Sequence, residues 1–269
     1  MPATASVIGC GWLGLPLAAQ LAGDGWPVIG STTSPRKIAL LKEQKIEPHL
    51  FSFEETTEIP AALTTADVVV VNVPPGRSDA ERRSRYPSWM RKLAETVRDG
   101  SLLVFASSTS VYSDTAGNVF EEDAHPATAG SETGAMLLHT EQEIRSIRPD
   151  ATILRFAGLY GYDRQPGRFF LGREDVPGGL DPVNMVHRDD AVEVLRRVVV
   201  DRVSSETLNV CTDLHPPKHQ FYREWAKRMG IEPPGFRLNF VRRKRVRNDR
   251  LKSVLGYDFL HPDPLRPAP

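Results

Sequence analysis

The amino-acid sequence predicts a doubly wound α/β fold, and three observations carry that expectation. The chain opens on a short apolar run, Ala5 to Ile8, that passes at once into glycines at the spacing G-x-G-x-x-G. An apolar helical stretch from Leu13 to Leu21 follows. The β-branched run within Asp67 to Val73 has the character of a strand buried on both faces, as parallel strands are. Strands and helices alternate from there to Phe156, which implies right-handed crossovers within one parallel sheet.

After the first helix, Gly25 and Pro27 reset the chain, and Pro27 to Gly30 reads as the second strand. Ser34-Pro35 has the form of an N-cap followed by proline at the first helical position, opening a helix from Arg36 to Gln44. Pro48 to Phe53 is expected as a third strand, and Asp67 to Val73 as a fourth that breaks at Pro74-Pro75-Gly76. A charged helix over about Asp79 to Arg98 precedes a strand at Leu102 to Ala106. A helix from Ser131 to Ile147 precedes one at Ala151 to Phe156. Past Gly158 the rhythm changes: residues 159–182 are rich in glycine, proline, arginine and phenylalanine without a period. A strand at Val183 to Val186, a helix at Arg188 to Val200, a strand at Thr207 to Cys211 and a helix at Lys218 to Met229 are expected after it. The expected organisation is a main domain over 1–158, completed by parts of 183–211, and a smaller lobe over 159–269 on the substrate side.

Composition narrows the class. Apolar residues make up 40% of 269, enough for a sizeable core. Lys+Arg and Asp+Glu are both 34, so no global field gathers nucleic acid or anionic lipid. Two cysteines imply no disulfide framework and fit a reducing compartment. The first strand begins within a few residues of Met1, and no apolar run is long enough to span a bilayer. The expectation is a soluble, cytoplasmic protein with no nucleic-acid or membrane partner.

Each glycine of the opening turn has its own task. Gly9 allows the tight turn out of the strand, Gly11 lets backbone approach a pyrophosphate, and Gly14 lets the helix pack closely on the strand. This is the pattern of a Rossmann-type dinucleotide site. Ligands of such folds lie at the carboxyl ends of the strands. The expected cofactor contacts are therefore Gly9, Gly11, Trp12, Leu13 and Gly14; Ser31, Thr32, Thr33 and Arg36; Asn72, Val73, Pro74 and Pro75; Ala106 and Ser107; Phe156, Ala157 and Gly158. NAD sites place an Asp or Glu at the second strand end for the ribose 2′-hydroxyl. Residues 30–37 offer hydroxyls and two cations but no carboxylate, which suits a 2′-phosphate and favours NADP(H) over NAD(H).

Three later stretches sharpen the reading. Phe105 to Tyr112 (FASSTSVY), Ile153 to Gly161 (ILRFAGLYG) and Val183 to Ala191 (VNMVHRDDA) resemble successive motifs of the extended short-chain dehydrogenases/reductases, the nucleotide-sugar epimerase and dehydratase group. Together with the glycine turn they cover nearly the whole chain in the right order. Gly9 to Ala18, Pro166 to Phe170, and Leu255-Gly256-Tyr257 with Pro262 to Leu265 are similar to an atypical bacterial branch of that group, the YeeZ-like branch. The resemblance implies oxidoreductase, epimerase or dehydratase chemistry on a small polar, nucleotide-linked substrate.

The departure from that group matters as much. Its members carry tyrosine and lysine at Y-x-x-x-K spacing, the lysine lowering the tyrosine pKa so that it relays a proton. Aligned through Gly134 and Glu141, the present helix has Thr133 at the tyrosine position and Leu137 at the lysine position, while Ser108 matches the catalytic serine. General acid–base help contributes roughly 100- to 10,000-fold, so the usual mechanism is not available at its usual place. The resemblance places Tyr112, Tyr160, Tyr162 and His187 near the cleft; Tyr160 and His187 stand first as replacements, with packing or substrate contact as the alternative for each of the four. Arg164 and Arg168 suit an anionic substrate group, Phe169 and Phe170 an apolar wall, and Asn184 a polar contact. A non-catalytic NADP(H)-binding sensor remains the alternative to an enzyme. Cys10 reads as a small apolar filler and the basic run 242–250 as a solvated face or an anion contact. The seven histidines show no metal-ligand spacing, so no metal is expected.

Overall fold

The computed structural model describes residues 3–56, 58–76, 79–115 and 117–266. Strand β1 (Ala5–Ile8) is buried at every position. It leads through the glycine turn into helix α1 (Gly14–Gly23), whose buried Gly14, Leu17, Ala18 and Leu21 form the stripe of a helix laid on a sheet. Strand β2 (Val28–Thr32) follows, then a 3-10 turn at Pro35–Lys37 and helix α2 (Ile38–Glu43). Ser34 makes no side-chain capping bond, so the helix expected from Arg36 starts instead as a 3-10 turn with Pro35 in it. Strand β3 (Ile46–Leu50) lies earlier than the Pro48 to Phe53 expected. It ends the sheet, and a proline is tolerated in an edge strand because one side has no ladder to feed. A single helical turn, α3 (Ala61–Thr64), and the fully buried β4 (Val68–Val71) complete this half.

Helix α4 (Ala80–Thr96) is capped by Asp79, whose carboxylate accepts the Arg82 N–H at 2.9 Å. It precedes β5 (Leu102–Ser108), the two-residue β6 (Asn118–Val119) and helix α5 (Glu132–Ile147). Strands β7 (Thr152–Phe156), β8 (Gly158–Tyr160) and β9 (Met185–His187) come next, then α6 (Arg188–Val200) and β10 (Thr207–Val210). The chain ends through α7 (Lys218–Arg228), β11 (Arg245–Val246) and α8 (Asp249–Leu255). Strands β6, β8 and β11 escape the sequence reading because two or three residues cannot show a period of two.

Seven strands form a parallel sheet in the order β10-β7-β5-β4-β1-β2-β3. Strand β1 pairs in parallel with β2 on one side and β4 on the other, so the winding reverses there. Ligands of doubly wound sheets bind outside the strand ends at such a switch point. Two small parallel pairs, β8 with β9 and β6 with β11, lie apart from the main sheet.

The chain divides into two compact units. The first holds Met1–Ser107, Ala135–Leu154 and Val192–Thr207. Its core is the wholly buried valines of β4 with Ile8, Leu17, Leu21 and Leu63, and Arg148 donates into the carbonyls of Val97 and Ser101. The second holds Ser108–Gly134, Arg155–Ala191 and Leu208–Pro269. Two clusters organise it. Tyr160, Val183, Phe221 and Trp225 form an apolar one. In the other, Tyr112 Oη donates to Asn209 Oδ1 at 2.6 Å and accepts from Arg155 Nη1 at 2.7 Å. Among the described residues, no helix is long and apolar enough to cross a membrane.

Candidate functional site

The glycine turn of the first unit is clamped from both neighbouring strands. Ser31 Oγ accepts the Gly9 N–H at 3.0 Å, the Ser31 carbonyl accepts the Cys10 N–H at 2.7 Å, and Asn72 Nδ2 donates to the Gly9 carbonyl at 3.3 Å. Gly9 has φ +100°, and a Cβ there would lie 2.6 Å from the Asn72 carbonyl oxygen. A Cβ at Gly14 would lie 2.2 Å from the Gly9 carbonyl oxygen. Between these two crowded positions, a Cβ at Gly11 would meet nothing within 4 Å. Helix α1 then starts with no side-chain cap and no acidic residue in its first turn. Its positive dipole end is therefore left for a ligand. An open cradle beside backbone N–H groups fits a pyrophosphate.

At the end of β2, Ser31 and Thr32 are buried. Their hydroxyls serve the turn itself, Ser31 as above and Thr32 by accepting the Ser34 N–H at 3.1 Å. Thr33 and Arg36 are exposed. Lys37, the second cation of residues 30–37, lies close enough to Cys10 to pull its thiol pKa down. Burial outweighs that pull and pushes the thiol up to about 12. A buried thiol so hard to ionise makes a poor nucleophile. Past β4, the Val73 carbonyl accepts Tyr86 Oη at 2.7 Å and the Pro74 carbonyl accepts Arg82 Nη2 at 3.2 Å, which fixes the segment carrying Asn72, Val73, Pro74 and Pro75. Ala106 and Ser107 end this part of β5. Ser107 Oγ donates to the buried Glu141 Oε1 at 2.5 Å, a partner that only the fold reveals.

In the second unit, Ser108 begins a 3-10 turn and its Oγ accepts the Ser110 N–H at 3.2 Å. That turn packs directly on the start of α5: a Cβ at Gly134 would fall 2.0 Å from the Ser110 carbonyl oxygen. Ser131 Oγ accepts the Gly134 N–H at 3.0 Å. Thr133 thus sits in a tightly fixed first helical turn, on a segment in contact with the one that carries Ser108. Leu137, four residues along the same helix, is buried. Phe156 ends β7, Ala157 follows it and Gly158 opens β8; the Ala157 N–H reaches the Val210 carbonyl at 3.0 Å and the Gly158 N–H the Asn184 carbonyl at 3.0 Å.

Tyr160 and His187 are neighbours, with ring centroids 5.1 Å apart. Tyr160 is 1% exposed, lies edge-on to Trp225 at 5.6 Å, and its Oη has no hydrogen-bond partner among the described residues. Burial holds its pKa well above the ordinary phenol value. Of the expected substrate contacts, Asn184 is engaged at both ends by the segment through β11. Its Nδ2 donates to the Lys244 carbonyl at 2.9 Å and its Oδ1 accepts the Val246 N–H at 2.8 Å. Arg164 forms a tight turn with Gly161 through backbone bonds of 3.0 and 3.2 Å. Arg168 is exposed on a 3-10 turn. Phe169 is 65% exposed, and Phe170 lies edge-on to Tyr222 at 4.7 Å. The basic run is largely tied down, with Lys244 Nζ 2.9 Å from Asp114 and Arg247 Nε 3.0 Å from Asp249.

Comparison with known proteins agrees with this geometry. Residues 4–125 match the NAD binding domain of 6-phosphogluconate dehydrogenase. The Escherichia coli protein YeeZ is 32% identical over 97% of this chain and 97% of its own length. A Methylobacillus flagellatus structure, proposed as an NAD-dependent epimerase/dehydratase, superposes with a TM-score of 0.79 at 26% identity, covering 99% of this chain and 96% of its own. The UDP-glucuronic acid 4-epimerase of Bacillus cereus, solved with NAD, shares the fold with a TM-score of 0.80 at 16% identity over 98% and 96% of the two chains. Full-length identity, a nicotinamide-dinucleotide-binding domain and a shared epimerase-like fold converge: the chain belongs to the YeeZ family of extended short-chain dehydrogenase/reductase-like proteins.

Proposed function

We propose that this protein is an NADP(H)-dependent oxidoreductase or epimerase/dehydratase acting on a small polar, nucleotide-linked substrate. The open cradle at Gly11, framed by Gly9 and Gly14 where no Cβ fits, carries the reading. A dinucleotide held there would supply a nicotinamide that takes or gives hydride. The exposed Thr33 and Arg36, with Lys37 beside the turn and no carboxylate in residues 30–37, support a 2′-phosphate. Ser108 and Thr133 offer hydroxyls on adjoining segments, suited to hydrogen-bond a substrate oxygen. The nucleotide-linked substrate is supported by the UDP-sugar substrate of the Bacillus cereus fold relative.

A sensor that binds NADP(H) without turnover is the second reading, and Leu137 favours it. A buried leucine where the wider group has lysine leaves no charge to activate a proton carrier on that helix. Calorimetric titration separates the claims. NADPH binding about tenfold tighter than NADH is expected, the order of one added charge-assisted contact. Equal affinities overturn the NADP assignment, and no binding of either overturns the reading entirely. The NADPH-loaded and NADP-loaded protein is then screened against UDP-sugars for a melting shift and for cofactor absorbance change. Turnover that Ser108→Ala lowers supports the enzyme. Absence of both signals supports the sensor.

A further inference from the structure

Within the second unit, a local pair of metal-ligating side chains and a third that is distant in sequence converge on one point. His187, Asp189 and His261 each offer one ligand atom, and these atoms lie within 4.8 Å of one another. Asp189 Oδ2 stands 3.4 Å from His187 Nδ1 and 3.8 Å from His261 Nε2. Ligand atoms bonded at about 2.0–2.2 Å to a tetrahedral ion stand about 3.3–3.6 Å apart, so Asp189 Oδ2 stands near a coordination separation from each histidine.

The three are held by the fold rather than by each other alone. Gly161, at φ +118°, packs so closely on His187 that a Cβ would fall 2.4 Å from its Nε2, which turns Nδ1 toward Asp189. Asp190 anchors the other arm: its carboxylate accepts the Leu260 N–H at 2.6 Å, the His261 N–H at 3.1 Å and Tyr257 Oη at 2.7 Å. Thr212 Oγ1 adds a bond of 2.5 Å to the His261 carbonyl. The second oxygen of Asp189 accepts Tyr162 Oη at 2.8 Å, the kind of outer hydrogen bond that orients a ligating carboxylate. A bond that a cation on His187 Nδ1 would displace is long, from the Asp189 N–H at 3.3 Å.

We propose that His187, Asp189 and His261 form a three-ligand site for a divalent first-row transition ion of the zinc class. Two imidazoles and one carboxylate suit zinc, cobalt or nickel, whereas magnesium and calcium take oxygen ligands. Both histidines are buried while the Asp189 side chain is 39% exposed, so the remaining coordination position faces the solvent side. A site with three protein ligands and one open position can take water or a substrate oxygen. The proposal departs from the sequence expectation of no metal, which looked for ligands at local spacing. It does not depend on the dinucleotide reading.

The test uses the full chain stripped with chelator and titrated calorimetrically with zinc chloride. Cobalt chloride is followed in parallel by visible absorption. One equivalent of zinc and a visible d–d band of low-coordinate cobalt are expected. Tyr162→Phe should weaken zinc about tenfold, as loss of an outer-shell partner does, and Asp189→Asn or His261→Gln by more than about 100-fold. Replacing the exposed His125 by glutamine should change nothing. Metal-free melting curves of the variants report folding, and the half-exposed Asp189→Asn keeps the test decisive if His261→Gln unfolds. No zinc uptake by the parent protein overturns the proposal. So does uptake unaltered in Asp189→Asn, or magnesium competing equally with zinc.

Discussion

The glycine turn separates two kinds of necessity at single residues. Gly14 is required by the fold, because any side chain there collides with the Gly9 carbonyl, a backbone atom that cannot step aside. Gly11 meets no such neighbour, and its backbone lies outside the left-handed region. On the proposed reading, its requirement is for the ligand. Gly11→Ala is expected to leave the melting temperature unchanged or raise stability by up to about 1 kcal/mol through the unfolded chain, while dinucleotide affinity falls at least tenfold. Gly14→Ala is expected to cost about 1–3 kcal/mol, the usual toll of overpacking. Thermal melting with calorimetry on both variants checks this. A Gly11→Ala protein that binds NADPH normally would show that the cradle is not where the pyrophosphate sits. Tyr112 makes the matching point in the second unit. Its hydroxyl serves Asn209 and Arg155 at once, so Tyr112→Phe takes the partner from Asn209 Oδ1, while Arg155 Nη1 keeps the Glu121 carbonyl at 2.7 Å, and should cost about 1–3 kcal/mol in urea unfolding. An unchanged midpoint would mean that the network contributes nothing net.

At the scale of elements, the sequence was legible where apolar period and glycine spacing are strong. Strands β1, β4 and β5 and helices α1, α4 and α6 lie within a few residues of expectation, because a buried valine run or an amphipathic stripe has few alternative homes. What it could not show was contact. Ser31 was legible as a strand end, but its bond to the Gly9 N–H was not. Glu141 was legible as a helix residue, though not as the buried acceptor for Ser107. Asn184 looked like a ligand contact, yet both ends of its amide hold the chain through β11, a strand too short to predict. The link from β2 to α2 is where sequence and structure together yield a prediction. Arg36 and Lys37 lie on one 3-10 turn beyond the glycine loop. On the proposed NADP(H) reading, alanine at either should weaken NADPH by about tenfold while leaving NADH within experimental error, since the 2′-phosphate is the group they would meet. Equal loss for both cofactors would place these cations on the pyrophosphate instead.

For the whole molecule, the dependence of stability on pH follows from groups whose pKa the fold displaces. His215 is largely enclosed, and desolvation is the main cause of a pKa below the ordinary imidazole value. Arg245 and Arg247 push the same way, while Asp213 and the Val183 carbonyl, 3.2 Å from Nδ1, oppose them without prevailing. The folded chain therefore holds the neutral ring, and the unfolded chain takes up the proton first. Stability from this group is fully present above about pH 6.5, the ordinary value, and is lost as pH falls from there through the lower folded value. Asp67 acts in a separate window. Bonds from Thr4 and Arg98 lower its carboxyl to about 2, so its contribution is present above the ordinary 3.8 and is lost as pH falls toward that folded value. Melting temperatures measured in chelator from pH 8 to pH 3 should thus decline first below about 6.5 and again below about 4. His215→Gln, which keeps a polar partner for the Val183 carbonyl, is expected to shrink the first decline, the remainder coming from the buried His187, whose pKa is likewise lowered, and to leave the second intact. A variant with the parent's slope between pH 6.5 and pH 5 would show that other buried groups, and not His215, carry the acid sensitivity.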